Sequence, residues 1–92
     1  MSDSVLNHFL DAEGRLHTIP SKRAKLLVVL DFLAQRFEPG VRYSEQQVNE
    51  ILGDVHPDYA ALRRYLVENG FLDRAHQENN WFYWRSGGSV DV

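Results

Sequence analysis

The chain has 92 residues, a formal net charge of −3, no cysteine and 43% hydrophobic residues. That length fits a single domain with one modest core, and the lack of cysteine excludes disulfides, thiolate metal sites and cysteine catalysis. No apolar run reaches the ~18 residues of a membrane span, and residues 1–14 do not resemble a signal peptide, so we expect a cytoplasmic protein without a membrane partner.

The first predicted element is a short amphipathic helix with Asp3 or Ser4 as its N-cap. Its apolar residues recur at helical spacing: Val5, Leu6, Phe9 and Leu10. Residues 11–14 read as a turn and residues 15–19 as an extended segment. We expect the helix to pack on its own domain; the alternative is a helix that binds a partner or a second copy.

The strongest helix prediction covers residues 21–37, with Ser21 as N-cap. Its apolar face is wide: Leu26, Leu27, Val29, Leu30, Leu33, Ala34 and Phe37. Val28 and Phe32 fall on the other side of this helix. Either the N-terminal helix covers these two residues or they belong to a dimer interface.

The charged residues are unevenly distributed. Residues 15–42 carry six basic and two acidic side chains, whereas residues 43–60 carry four acidic side chains and no Lys or Arg. Lys22, Arg23 and Lys25 occupy the first turn of the predicted helix, where the helix dipole disfavours positive charge. Either they contact an external anionic partner or they form an ordinary solvated turn.

The middle of the chain predicts a short strand followed by a helix. The strand covers residues 41–43. Ser44 then begins the helix, because Gln47 three residues later completes a capping box. Gly53 ends this helix, and residues 54–57 form a tight connection to the next.

The last part of the chain predicts a helix that ends at a glycine, followed by a two-stranded hairpin. Asp58 can cap the helix, and Gly70 suits the left-handed residue that follows a helix end. Two strands, at residues 71–74 and 81–85, bracket a polar loop at residues 75–80.

This order of elements predicts an α+β fold, the winged helix-turn-helix. It has a three-helix core, a C-terminal β-hairpin and an extra short N-terminal helix. We expect one winged-helix-like domain over residues 1–85 and a flexible C-terminal tail over residues 86–92.

Arg63 and Arg64 lie on the helix that begins after Asp58, which is the presumed recognition helix. Arginine suits phosphates and guanine edges because its planar fork donates hydrogen bonds in pairs. Alternatively, Arg64 is merely solvated and Arg63 pairs within the domain. The acidic partners considered for Arg63 are Glu45, Asp58 and Asp73.

The hairpin is rich in aromatic residues. Strand alternation places Trp81 and Tyr83 on one face, and Phe82 and Trp84 on the other. One face must pack on the helices, and the other exposes two rings unless another element covers it. Exposed rings can stack bases or anchor a protein partner. The loop over residues 75–80 carries no Lys or Arg, which counts against DNA contact by this loop.

The sequence shows no pattern typical of a catalytic or metal site. No nucleophile is paired with a base, and no Gly-rich phosphate loop is present. The histidines lack the spacing of metal ligands: His8, His17, His56 and His76. We therefore expect no enzyme activity, no metal and no cofactor.

A series of short motifs occurs along the chain: Tyr43-Ser44-Glu45 with Val48-Asn49, Leu62-Arg63-Arg64 with Leu66-Val67, then Gly70, Leu72, Arg74 and Tyr83-Trp84-Arg85. Together with Gly14-Arg15-Leu16 and Ile19-Pro20, this set resembles the bacterial domain-of-unknown-function family numbered 2087, over about residues 8–85. Members of that family occur alone or joined to helix-turn-helix regulator domains. The resemblance therefore implies transcriptional regulation, either as a second DNA-binding unit or as a sensor or interaction unit.

Two hypotheses remain. In the first, a regulatory winged helix contacts the DNA backbone through basic residues: Lys22, Arg23, Lys25, Arg63, Arg64 and Arg85. In the second, the same fold is a dimerisation, sensor or protein-interaction module that binds itself or a regulator protein without DNA. Its contacts would come from apolar residues: Val28, Phe32, Trp81 and Tyr83. The placement of the charged residues supports each hypothesis in part, and the family resemblance favours the first hypothesis.

Overall fold

Residues 2–86 are described by the structure, a computed structural model, with side chains from residue 6 onward. This part of the chain is an α+β fold with four helices and one three-stranded antiparallel sheet. In chain order the elements are α1 (Ser2–Phe9), α2 (Arg23–Ala34), β1 (Tyr43–Ser44), α3 (Glu45–Gly53), α4 (Tyr59–Glu68), β2 (Leu72–Gln77) and β3 (Asn80–Arg85). The predicted tail lies outside the described residues from position 87 onward.

The short N-terminal helix is confirmed, and it lies along α2. Leu6, Phe9 and Leu10 pack against the core, as expected of a helix that covers its own domain. The predicted N-caps are wrong, because α1 begins at Ser2 and so includes Asp3 and Ser4.

The turn after α1 is built around Asp11. Its carboxylate accepts hydrogen bonds from the backbone N–H groups of Glu13 and Arg15, both at 2.9 Å. These bonds, above all the one from Arg15, lower the pKa of Asp11. A bridge between Leu10 and Leu16 closes the turn and brings Leu16 into the core.

The helix predicted over residues 21–37 is shorter, and its predicted N-cap is wrong. Lys22 occupies the cap position with extended backbone, and within the described chain its side chain makes no capping hydrogen bond. Ser21 lies one residue too early to cap. The apolar face is confirmed: Val29, Leu30 and Leu33 are fully buried. Phe37 reaches the core from a turn beyond the helix.

The predicted N-caps of α3 and α4 and the left-handed glycine after α4 are confirmed. The Ser44 hydroxyl accepts from the Gln47 N–H at 3.1 Å, and the Gln47 side chain accepts from the Ser44 N–H at 2.9 Å. Asp58 accepts from the Ala61 N–H at 3.4 Å at the start of α4. Gly70 has φ +79°, the left-handed conformation expected after a helix.

The hairpin differs from the prediction, because residues 75–80 do not form a polar loop. Strands β2 and β3 continue to Gln77 and from Asn80, and a two-residue turn at Glu78 and Asn79 joins them. Both turn residues have positive φ, at 50° and 66°. His76 and Gln77 are exposed, so this end of the strand has no apolar alternation to mark it in the sequence.

The sheet has the order β1–β3–β2, which joins the short strand before α3 to the last strand of the hairpin. Tyr43 pairs with Tyr83, so a residue from the middle of the chain lies beside the C-terminal strand. Tyr83 and Leu72 are 1% exposed and face the helices. Within residues 2–86, the helices are too short or too polar to cross a membrane.

Candidate functional site

A shallow groove of about 400 Å³ runs along the exposed side of α4 toward β2. Its most distinctive feature is three guanidinium groups, from Arg63, Arg64 and Arg74. The other lining residues are Asp58, Ala60, Ala61 and Val67. We call this groove, with its seven lining residues, the arginine groove. Consecutive positions on α4 place Arg63 toward α3 and Arg64 toward solvent, whereas Arg74 comes from the neighbouring strand.

Arg63 is held by residues of α3. Its guanidinium donates a hydrogen bond to the Asn49 side-chain oxygen and lies 3.9 Å from the Glu45 carboxylate. Its side chain is 22% exposed. The alternative in which Arg63 pairs internally with Glu45 is therefore confirmed. Because the guanidinium has five N–H donors, these contacts leave donors for a ligand in the groove.

Glu45 also accepts a hydrogen bond of 3.1 Å from the Tyr83 hydroxyl. Burial, together with this neighbouring carboxylate, raises the pKa of Tyr83. The contact joins β3 to α3, and Arg63 joins α3 to α4. Arg74 lies directly across from Tyr83 in the sheet, so the same network fixes where Arg74 stands relative to α4.

Arg64 and Arg74 are the accessible cations of the groove. The Arg64 side chain is 62% exposed, and its ion pair with Glu68 at 3.8 Å is exposed as well. Arg74 is exposed, and its guanidinium carbon lies 4.9 Å from the centroid of the Trp81 ring. Trp81 is itself 39% exposed.

Arg74 was absent from the cations that the sequence assigned to a site. Its inclusion depends on the hairpin register, which places it opposite Tyr83 on the sheet face that carries α4. Predicting the two-residue turn at Glu78 and Asn79 would have given that register. The polar residues on both sides of the turn suggested a longer loop instead.

The basic first turn of α2 forms a second cationic region. Lys22, Arg23 and Lys25 are all exposed. The Arg23 guanidinium donates to the Asn69 side-chain oxygen at 3.0 Å, and Asn69 is the C-cap of α4. The basic turn therefore adjoins the C-terminal end of α4. Lys22 and Lys25 also line a smaller groove of about 340 Å³.

The structure does not bring Arg85 to these regions. Its guanidinium donates to the Phe37 carbonyl at 3.5 Å, beyond the C-terminal end of α2. The 12 residues of α2 span about 18 Å, so this contact lies at the opposite end of α2 from the basic first turn.

The predicted partner-binding residues are separated in the fold. Tyr83 is buried and offers no surface to a partner, whereas Trp81 on the same strand is partly exposed. Phe32 packs against the core, with the Arg36 guanidinium carbon 5.9 Å from its ring centroid. Val28 is half-buried. These four residues do not form one surface.

One comparison with known proteins gives a match. A family model described as "Uncharacterized protein conserved in bacteria (DUF2087)" matches residues 15–85. No curated protein matches the chain, and no solved structure does. The matched region includes every element from α2 to β3, and thus every residue of the arginine groove.

Proposed function

The chain belongs to this bacterial family, and we propose that it acts in the cytoplasm as a non-catalytic winged helix-turn-helix domain of transcriptional regulation that contacts the DNA backbone. The element order supports the winged-helix assignment. After α2 come a short strand, two helices joined by a tight turn, and a hairpin whose last strand pairs with the short strand. In that architecture α4 takes the place of the recognition helix.

The observation that carries the proposal is the arginine groove beside α4. Guanidinium groups bind phosphate oxygens through paired, charge-assisted hydrogen bonds. Arg63 is already oriented by Asn49 and Glu45, so little side-chain freedom is lost when it binds. The exposed pair between Arg64 and Glu68 is weak and is easily exchanged for a phosphate.

The acidic segment over residues 43–60 carries a charge of −4, and part of it is engaged by contacts within the domain. Glu45 is engaged by Tyr83 and Arg63. Asp58 accepts from the first turn of α4 and partly neutralises the positive end of that helix. Two of the four carboxylates are thus occupied by contacts within the domain.

Lys22 and Lys25 extend the contact surface in this proposal. Both are exposed and line the smaller groove, and the hydrogen bond between Arg23 and Asn69 joins their turn to the C-terminal end of α4. Ammonium groups at that position add sequence-independent attraction to phosphates. We therefore assign the main phosphate contacts to Arg64 and Arg74, with Arg63, Lys22 and Lys25 as supporting contacts.

A titration of a fluorescent random-sequence duplex with the full chain tests the proposal. We expect the anisotropy to show binding at low salt that weakens steeply as salt is added, because bound cations release counterions. Arg64→Glu and Arg74→Glu should each weaken binding to any sequence and reduce the salt slope by about one.

Arg36→Glu is the matched control, since it changes the charge equally at an exposed position on the turn after α2. It should retain most of the affinity. The proposal is wrong if the wild-type chain fails to bind even at low salt, or if Arg36→Glu weakens binding as much as the two groove variants do.

A further inference from the structure

The smaller groove, of about 340 Å³, lies where the end of α1 meets the first turn of α2. Its apolar wall comes from two segments: Phe9 belongs to α1, and Ile19 and Pro20 belong to the linker that follows. Phe9 and Ile19 are only half-buried, so apolar surface of both side chains remains accessible. Because Lys22 and Lys25 also line this groove, we call it the lysine groove.

Hydrogen bonds hold both sides of the lysine groove in place. The His17 N–H donates to the Phe9 carbonyl at 2.9 Å, which fixes the linker against the end of α1. The Arg23 guanidinium donates to the Asn69 side-chain oxygen at 3.0 Å, which fixes the first turn of α2. A ligand therefore meets a largely preorganised groove, and ordering the protein costs little free energy when the ligand binds.

The two lysines give the groove a positive charge that the domain does not neutralise. They are the only lysines in the chain, and both are exposed. They are three positions apart at the start of α2, so both side chains can reach one bound anion. Among the described residues, neither lysine forms an ion pair, and the first turn of α2 contains no acidic residue. Neighbouring like charges repel, so an anion that binds between the two lysines relieves this repulsion.

The chemistry and the size of the groove suit a small organic acid. Thr18 and Ser21 add exposed hydroxyl groups to the lining, and both hydroxyl and ammonium groups donate hydrogen bonds to a carboxylate. The volume lies at the lower end of the range for small-molecule sites, which is about 300–1,000 Å³. The ligand that fits has one anionic end and a short apolar body.

We propose that the lysine groove binds a small organic acid. The carboxylate of the acid binds between Lys22 and Lys25. Its apolar chain or ring packs on Phe9, Ile19 and Pro20. This ligand site goes beyond the proposed contact with DNA, which centres on the arginine groove.

Binding of the acid has a consequence for DNA binding. Lys22 and Lys25 are supporting phosphate contacts in the proposed function, so a carboxylate that occupies them competes with the DNA backbone. The acid is therefore an effector that weakens DNA binding. This consequence alone rests on the proposed function, because binding of the acid is measured without DNA.

Isothermal titration calorimetry of the full chain with octanoate tests the ligand site. Acetate and 1-octanol are the matched ligand controls, since acetate keeps the carboxylate without the chain and 1-octanol keeps the chain without the charge. Both controls should bind at least about tenfold more weakly than octanoate. Each methylene group that the groove buries strengthens binding by up to about fourfold, because its transfer out of water is favourable.

Lys25→Glu tests the protein side of the contact. It places a carboxylate against that of the ligand and should weaken octanoate binding at least about fivefold. An acidic residue in the first turn of a helix is favourable, so this variant should remain folded. Arg36→Glu changes the charge equally on the turn after α2 and should bind octanoate as the wild-type chain does.

Three outcomes would overturn the ligand site. They are octanoate that does not bind the wild-type chain, 1-octanol that binds as tightly as octanoate, and Lys25→Glu that binds octanoate as tightly as Arg36→Glu does.

A competition experiment tests the effector role separately. Octanoate should displace a fluorescent random-sequence duplex from the wild-type chain, whereas acetate at the same concentration should not. If octanoate binds and the duplex stays bound, the effector role is wrong and the ligand site stands. If the chain binds octanoate but no duplex even at low salt, the proposed contact with DNA is wrong and the ligand site again stands.

Discussion

The Arg23 guanidinium donates a hydrogen bond of 3.0 Å to the side-chain oxygen of Asn69, joining the first turn of α2 to the C-terminal end of α4. Asn69 is only 9% exposed, and its amide nitrogen donates to the Tyr65 carbonyl at 2.9 Å. The oxygen and the nitrogen of the Asn69 side-chain amide are therefore both hydrogen-bonded. One of the three cations in the basic first turn thus has a structural role besides any contact with a ligand.

Arg23→Ala should lower the free energy of unfolding by about 1–2 kcal/mol, because it leaves the largely buried Asn69 oxygen without its partner. Urea unfolding followed by tryptophan fluorescence measures the change. Lys22→Ala, one residue earlier and exposed, is the control and should alter stability by less than about 0.5 kcal/mol. Equal effects of the two substitutions would contradict the structural role of Arg23.

The two neighbouring arginines of α4 should respond differently to truncation. Arg63→Ala removes the contacts with Asn49 and Glu45 that join α3 to α4, and should cost about 1–2 kcal/mol of stability. Arg64→Ala removes an exposed ion pair with Glu68 and the contact of the guanidinium with the Tyr65 ring, and should cost only about 0.5 kcal/mol.

Urea unfolding again measures both variants, and DNA titration separates stability from binding. Arg64→Ala should weaken DNA binding while its midpoint of unfolding stays close to that of the wild-type chain. If Arg64→Ala proved the more destabilising of the two, the assignment of Arg63 as the structural arginine would be wrong.

Tyr83→Phe should cost about 1 kcal/mol at neutral pH, because it removes the hydrogen bond from the tyrosine hydroxyl to Glu45. The ring remains, so the core stays filled. Urea unfolding at neutral pH measures this cost. Tyr59→Phe is the control, since the Tyr59 ring is 39% exposed at the start of α4.

Tyr83→Phe should also change how the free energy of unfolding depends on pH in the alkaline range. Folding raises the pKa of Tyr83 above its ordinary value of 10.0, so the unfolded chain releases this proton first. Deprotonation therefore favours unfolding, and this contribution to stability is present below about pH 10 and lost as the pH rises. Tyr83→Phe should lose less stability than the wild-type chain between neutral and alkaline pH. Identical pH dependence would contradict the raised pKa.

The hairpin turn offers a stabilising change. Glu78 and Asn79 both have positive φ, a conformation that Asn-Gly adopts with less strain than Glu-Asn. The double substitution Glu78→Asn, Asn79→Gly should raise the free energy of unfolding by about 1 kcal/mol. Thermal unfolding measures it, and Gln77→Asn at a strand position should give no gain. A lower midpoint for the double variant would show that the turn demands something other than positive φ.

Local signals predicted most of the helical part of the fold. The capping box of Ser44 and Gln47, the cap at Asp58 and the left-handed Gly70 each depend on residues within four positions, so they can be identified without knowing the rest of the chain. The apolar face of α2 was identified for the same reason. The N-terminus of α2 was missed because Ser21 suggested a cap that Lys22 occupies.

The composition of the site was decided by the tertiary structure. The sequence alone determined that Arg63 and Arg64 share a helix and that the aromatic residues alternate along β3. Strand register and helix packing decided that Tyr83 is buried, that Arg74 joins the groove and that Arg85 does not. Those outcomes depend on pairings between distant residues, such as Tyr83 with Tyr43 and with Glu45. The helix and strand propensities of neighbouring residues do not indicate such pairings, because the pairing energies arise only when distant parts of the chain pack together.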